Sequence, residues 1–200
     1  MFNKFGRLIA ASMVLVLAVP ASGQQNFSDS YTFLKAVRER DGDKVTDLVA
    51  QPGTTVINTR DRSSGEGALH IVVRGRDLSW LAFLLGKGAR PDIQTNRGDT
   101  PLSLAAQIGW LEGIELLLAR RAGVDQPNGR GETALILATQ RRDVPLVRLL
   151  LSRGADPRRT DNVAGKSALD YAREDPRAGA VLKMLEAKTA PARPVAGPTK

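Results

Sequence analysis

The stretch NRGDTPLSLAA, residues 96–106, carries two signatures that point in different directions. Its RGD tripeptide (97–99) is the pattern of a cell-adhesion signal. Directly after it, Thr100-Pro101 is typical of a helix start, because Thr is a favoured N-cap and Pro a favoured first helical residue. Which signature matters depends on what recurs elsewhere in the chain.

Similar blocks recur along the chain at a nearly constant spacing. The blocks that contain Leu69, Leu102 and Leu135 lie 33 residues apart, and the block that contains Leu169 follows after 34. Leucine-rich stretches follow three of these blocks in the same phase, at residues 80–89, 113–122 and 146–155. A fixed period of this length predicts repeated units, each made of a turn and two short helices.

The turn ahead of each helix start keeps only its glycine. The slot reads RGD at 97–99, and in the other units it reads SGE (64–66), RGE (130–132) and AGK (164–166). Glycine takes the positive φ angle of a tight turn at no steric cost, whereas an adhesion signal does not explain why glycine alone is kept. The tripeptide therefore indicates a turn. We expect the flanking charged residues to be exposed at the turn tips and available to a partner: Arg97, Asp99, Arg130 and Glu132.

With its TPLSLAA block (100–106) and its LLLSRGA block (149–155), the chain resembles the ankyrin-repeat family. The resemblance implies an all-α ankyrin-repeat solenoid of about five stacked turn–helix–helix units, whose first and last members are degenerate caps. The repeat domain is expected at residues 30–187, with units at about 30–60, 61–95, 96–127, 128–161 and 162–187. The resemblance also implies protein–protein binding through the turn tips and the inner, first helices.

A few residues depart from the family pattern or have a role implied by it. Arg121 stands where two other units have a capping glycine, and Arg76 and Arg142 stand where the third unit has Gly109 between its helices. We expect slightly distorted helix ends there. His70 is the one histidine, and the resemblance implies that it hydrogen-bonds backbone in the adjoining turn.

The first residues have the organisation of a secretory signal peptide. Lys4 and Arg7 precede an apolar run at 8–19, and small residues follow, with cleavage positions after Ala21 or Gly23. We therefore expect a signal peptide at residues 1–23 and an exported protein, with an uncleaved membrane anchor as the alternative. A bacterial periplasm is the expected compartment, since the chain is short, lacks cysteine and contains one compact repeat domain. Secretion from another kind of cell is the alternative.

Composition limits the chemistry that the chain can perform. With no cysteine and one histidine, the sequence offers no obvious nucleophile–base pair, and its carboxylates show no spacing typical of a catalytic pair. We predict no enzyme activity, catalytic residue, metal site or cofactor. Cleavage after Gly23 would remove two cations and lower the formal net charge from +8 to +6, which favours acidic partners without indicating specific nucleic-acid or membrane binding. The Pro- and Ala-rich segment at 188–200 predicts a disordered tail.

Arginines cluster at the links between the paired helices. The link positions carry Arg38, Arg40, Arg74, Arg76, Arg141, Arg142 and Arg173. Stacking at a fixed phase would place them in a row along one rim of the concave face, and Trp110 shares this link in the unit without arginine. Arginine and tryptophan are enriched at binding hot spots. We predict that Arg74, Arg76, Arg141 and Arg142 clamp an acidic partner and that Trp110 adds apolar contact; a merely solubilising surface is the alternative.

These features predict a monomeric, non-enzymatic module that binds a protein partner in an exported compartment. A narrower version is an inhibitor or immunity-type protein that neutralises a secreted enzyme. The alternative from another class is a binder of anionic surfaces, such as nucleic acid, polysaccharide or lipid headgroups. That function would show steep salt dependence and little selectivity between partners.

Overall fold

The computed structural model describes residues 22–189, with side chains described from residue 29 onward. The tail from residue 190 and all but the last two residues of the predicted signal peptide lie outside this range. Within it the chain forms α-helices and one 3-10 helix (Val56–Asn58), together with two isolated β-bridges but no strand. The predicted all-α solenoid is confirmed for the part of the chain that is described.

The α-helices form five consecutive pairs, each pair corresponding to one repeat unit. They are α1 (Ser22–Glu39) with α2 (Gly42–Ala50), α3 (Ala68–Arg74) with α4 (Leu78–Gly86), α5 (Pro101–Ile108) with α6 (Leu111–Ala119), α7 (Ala134–Gln140) with α8 (Val144–Ser152), and α9 (Ala168–Glu174) with α10 (Gly179–Thr189). Helices pack within each pair, and the first helices α3, α5, α7 and α9 pack in series from unit to unit. Helix α1 begins at Ser22, before the predicted start of the first unit at residue 30.

Six of the described α-helices begin where a side chain supplies a capping oxygen. The Thr100 side chain accepts a hydrogen bond from the backbone N–H of Ser103 at 3.0 Å, and Pro101 occupies the first helical turn of α5. Thr133 caps α7 and Ser167 caps α9 in the same way. Each such cap stabilises its helix by about 1 kcal/mol relative to alanine. The predicted helix start at Thr100-Pro101 is confirmed.

In the first four units the link between the paired helices contains a residue in the left-handed backbone conformation, and in three of them that residue is arginine. Gly109 has φ +66°, and the equivalent Arg40, Arg76 and Arg142 have φ values of +61°, +49° and +56°. Arg121, which replaces a capping glycine, has φ +65°. A side chain in this conformation costs about 1–2 kcal/mol. The expected distortion is thus local backbone strain at the arginine rather than a shortened helix.

A column of equivalent leucines forms the centre of the core. Leu69, Leu102, Leu135 and Leu169 are each at most 7% exposed. Burying one leucine side chain stabilises a fold by about 1.5–3 kcal/mol, so the column contributes in every unit from the second to the fifth. At the C-terminal end, α10 buries Val181 and Leu185 and exposes polar residues on its other face. A polar outer face is what a terminal capping unit requires.

The turns of neighbouring units are joined through their backbones. Across three successive joints, the N–H of Asn96 donates to Ser64 O at 3.0 Å, that of Gly129 to Arg97 O at 3.1 Å, and that of Asn162 to Arg130 O at 2.8 Å. Gly98 has φ +76°, and a Cβ there would lie 2.7 Å from Gly129 Cα. Both the angle and the close approach require glycine, so the RGD tripeptide contains the glycine of a turn.

None of the helices between residues 22 and 189 has both the length and the apolar character of a membrane span.

Candidate binding surface

The turn tips and inner helices of the third and fourth units form a groove with a volume of about 540 Å³. Turn residues and residues of α5 and α7 line it together. They are Arg97, Asp99, Gln107, Asn128, Gly129, Arg130, Glu132, Leu137 and Gln140. The structure thus brings all four predicted turn-tip residues to one groove in the middle of the repeat array.

The cations of the two turns are the exposed part of this groove. The side chain of Arg97 is 80% exposed and that of Arg130 is 65% exposed. Each lies near the carboxylate of its own turn, at 3.7 Å from Arg97 Nε to Asp99 and at 3.6 Å from Arg130 to Glu132. Ion pairs this exposed contribute at most about 1 kcal/mol, so both arginines can turn towards another molecule at little cost. The predicted exposure of these two residues is confirmed.

The carboxylates of the same turns lie deep in the groove, which corrects the prediction that they are exposed. Asp99 is 8% exposed and Glu132 is 4% exposed. Asn128 Nδ2 donates to Glu132 Oε2 at 3.0 Å, and Gln107 Nε2 lies 3.5 Å from Asp99 Oδ1. Asp99 thus faces Gln107 in the last turn of its own inner helix, whereas Glu132 is held by Asn128 of its own turn.

The acidic turn position and the inner-helix position eight residues later face each other in three of the units. In the second unit Arg74 Nε donates to Glu66 Oε1 at 2.7 Å, and in the last unit Lys166 donates to Glu174 at 2.6 Å with the charges exchanged. In the third unit a neutral partner, Gln107, takes the arginine's place. The groove therefore has carboxylates that no neighbouring cation holds as closely as Arg74 holds Glu66.

Trp110 does not supply an apolar contact to a partner, which corrects that prediction. It is 5% exposed and occupies the N-cap position of α6, where the first, second and fourth units have aspartate. Its ring covers the backbone of Gly113, and a Cβ added at Gly113 would meet ring atoms directly. The glycine leaves room for the indole, and burial of the ring replaces the missing side-chain cap.

The four link arginines that were predicted to clamp a partner instead make hydrogen bonds within the chain. Arg74 pairs with Glu66, Arg76 donates to Ile108 O, Arg141 donates to Gln107 O at 3.1 Å and Arg142 pairs with Asp175 at 2.7 Å. Three of these four contacts cross from one unit to the next. All four residues remain exposed at the surface. The guanidinium groups of Arg76, Arg141 and Arg142 contact the neighbouring unit, whereas that of Arg74 is paired within its own unit.

Arg40 follows the same pattern in the first unit. Its Nε donates to Asp77 Oδ2 at 2.7 Å, and its guanidinium lies 5.5 Å from the centre of the Trp80 ring. Arg40, Arg76 and Arg142 thus each pair a left-handed backbone with a contact to the following unit. We interpret that contact as the reason why arginine is tolerated in place of glycine.

His70 has the role that the resemblance implied. Gly67 N–H donates to Nδ1 at 3.1 Å, so Nε2 carries the proton and donates to Asp99 O at 2.9 Å. Burial lowers the pKa of His70 below its usual value, which keeps the ring neutral. The histidine fixes the backbone of Asp99 and therefore one wall of the groove. No group of three or more acidic or histidine side chains that could hold a metal ion occurs within residues 29–189.

Gln107, Asn128 and Gln140 were missed from the sequence. Gln107 and Gln140 occupy the position of Arg74 in the next two units, at the same 33-residue spacing. The 33-residue spacing therefore predicts their position in the unit, whereas their neutral amides give no charge signal in the sequence.

Comparison with known proteins agrees with this architecture. A family model described as "Ankyrin repeats (3 copies)" matches residues 69–161 and, in a second match, residues 103–189. An ankyrin repeat protein of Acanthamoeba polyphaga mimivirus is 40% identical over 60 residues, which are 30% of this chain and 8% of the viral protein. The match thus spans a small part of that relative. Ankyrin repeats generally mediate protein–protein interaction and typically lack enzymatic activity. Because the family model covers more than half of the sequence, the chain belongs to the ankyrin repeat family.

Proposed function

We propose that this chain is an exported scaffold that binds a protein partner in the groove between the third and fourth units. The observation that carries the proposal is the arrangement of Arg97 and Arg130, the exposed cations at the lip, above the recessed carboxylates of Asp99 and Glu132. Hydrogen-bonded turns and packed helices fix the backbone from which these side chains project before any partner arrives, which lowers the entropy cost of binding.

Acidic groups of a partner fit the lip of this groove. Arg97 and Arg130 have only long contacts to their own turns, so carboxylates on a partner can approach them closely. Arginine binds a carboxylate through two parallel hydrogen bonds, which adds direction as well as charge. The acidic contact that we predicted from the sequence is therefore proposed for these two arginines, in place of the four link arginines.

Export is proposed from residues 1–23, whose cations, apolar run and small residues match a signal peptide. We propose a bacterial periplasm as the compartment and a monomer as the mature state. Cell fractionation followed by N-terminal sequencing tests this part. A mature protein that begins after Ala21 or Gly23 is expected, and an intact N-terminus in the cytoplasm would contradict it.

Site-specific photocrosslinking tests the groove as the binding surface. A benzophenone amino acid placed at Gln107 reports on the groove, and the same residue at Glu115, exposed on the outer helix α6, is the matched control. In cells that make the full chain, we expect a discrete crosslinked partner from position 107 and none from position 115.

Two outcomes of this experiment contradict the proposal. Equal crosslinking from both positions would place the contact elsewhere, and a broad smear that disappears at raised salt would indicate a binder of anionic surfaces. Identification of the crosslinked protein as a secreted enzyme, together with loss of its activity on binding, would establish the inhibitor version.

A further inference from the structure

Asp99 has the least satisfied carboxylate in the groove. It is 8% exposed, yet its nearest side-chain donors are Gln107 Nε2 at 3.5 Å and Arg97 Nε at 3.7 Å. The equivalent Glu66 receives Arg74 at 2.7 Å, and Glu132 receives Asn128 at 3.0 Å. A buried carboxylate is costly unless charged or polar donors hold it closely, so Asp99 lacks a partner that its counterparts have.

Arg97, the cation closest to Asp99, does not hold this carboxylate as closely as Arg74 holds Glu66. The side chain of Arg97 is 80% exposed, and its Nε lies beyond hydrogen-bond distance. Gln107 stands where the second unit has Arg74, and an amide brings no charge. A charged donor from a partner can therefore reach this carboxylate through the open side of the groove and hold it more closely than Gln107 does.

We infer that Asp99 receives a basic side chain, lysine or arginine, from the protein partner; this inference rests on the proposed function. Such a side chain entering past the lip reaches the recessed Asp99 carboxylate, and Glu132, in the next turn, lines the same cavity. Gln107, Gln140 and Leu137 line the same groove, so neutral polar groups and an apolar side chain surround the aliphatic stem of such a residue.

The lip and the interior of the groove then bind groups of opposite charge. When a partner's cation binds Asp99, Arg97 loses its long contact and is free to bind a carboxylate of the same partner. The partner segment is therefore expected to carry a basic residue flanked by acidic residues. Opposite charges at two depths would reject a purely acidic or purely basic surface, which is a source of selectivity.

Titration of the full chain with blocked amino acids tests this inference. The probes are N-acetyl-arginine amide and N-acetyl-glutamate amide, followed by amide chemical shifts in NMR. We expect the arginine probe to shift the resonances around Gly98 and Gly129 with a Kd on the order of 1 mM. Asp99→Asn should weaken it about tenfold, since a charge-assisted hydrogen bond is lost. Glu112→Gln, which removes an exposed carboxylate on α6, should leave it unchanged.

Arg97→Ala distinguishes this inference from simple anion binding. Removing the competing cation should strengthen the arginine probe and weaken the glutamate probe. Preference for the glutamate probe, or equal arginine binding in wild type and Asp99→Asn, would overturn the inference. Thermal unfolding supplies a second readout: Asp99→Asn should not lower stability, and a clear loss would show that the carboxylate is held within the fold.

Failure of the inference is separable from failure of the proposed function. If crosslinking from position 107 persists unchanged in Asp99→Asn, the partner binds in the groove without using Asp99, and only the inference is wrong. If wild type itself gives no crosslink from position 107, the proposed binding surface is wrong.

Discussion

Gly98→Ala should destabilise the protein by about 3–6 kcal/mol, although it adds only one methyl group. The residue has φ +76°, a conformation that costs alanine about 1–2 kcal/mol. Its Cβ would lie 2.7 Å from Gly129 Cα, so the neighbouring turn must move. Overpacking of this kind costs about 1–3 kcal/mol, and loss of the hydrogen bond from Gly129 N–H to Arg97 O adds about 1 kcal/mol.

Gly165→Ala is the matched control for this substitution. Gly165 occupies the same position in the last turn and has φ +65°, but a Cβ there would meet nothing within 4 Å, because the structure places no further turn beside it. The control therefore includes the backbone cost of about 1–2 kcal/mol and omits the contact between units. The difference between the two variants measures how strongly adjacent turns constrain each other.

Urea unfolding followed by circular dichroism measures both variants. Gly98→Ala should lower the free energy of unfolding by at least about 2 kcal/mol more than Gly165→Ala does. It should also broaden the transition, because stability in repeat proteins is a sum of units and the joints between them. Equal losses for the two variants would refute the reasoning, since the joint would then have no part in the effect.

Other substitutions test the histidine and the arginine links. Burial depresses the pKa of His70 below 6.5. As the pH falls below 6.5, the unfolded chain therefore binds more protons than the folded one, and the free energy of unfolding declines. Urea unfolding at about pH 7.5 and about pH 5.5 should show this decline, and His70→Asn should reduce it. Arg121→Gly should raise the free energy of unfolding by about 0.5 kcal/mol, because it relieves φ +65° at the expense of a more flexible unfolded chain; no gain in urea midpoint would contradict this. A double-mutant cycle of Arg142→Gln and Asp175→Asn should give a small favourable coupling, limited by solvent at this exposed pair, and additive losses would show that the pair does not join the units.

The fold was predictable from the sequence because its requirements are local and repeat. Thr100-Pro101 begins a helix for reasons contained in two residues, and Gly98 takes a backbone angle that few other residues accept. Recurrence at 33 residues then gives the packing, since equivalent residues must meet when identical units stack. His70 followed the family pattern for the same reason.

The binding surface was only partly predictable, because repeat phase gives a residue's place in the unit and not the direction of its side chain. Arg97 and Asp99 flank one glycine, yet one side chain is exposed and the other buried. Trp110 was expected at the surface because its unit position is a link, but Gly113 makes room for its ring. The pairing of Arg142 with Asp175 depends on contacts of a few ångströms between units, which spacing along the chain does not specify.

The hydrogen bonds between neighbouring turns allow the opening of each joint to be followed separately by hydrogen exchange. Asn96, Gly129 and Asn162 each donate an amide hydrogen across one joint. Such a hydrogen exchanges with deuterated water only when its own joint opens, and the exchange rate then reports the free energy of that local opening. The exchange rates of these three amides therefore report, in order, the separation of the second from the third unit, of the third from the fourth and of the fourth from the fifth. A partner bound in the groove should slow amide exchange at Gly129 more than at Asn96 or Asn162.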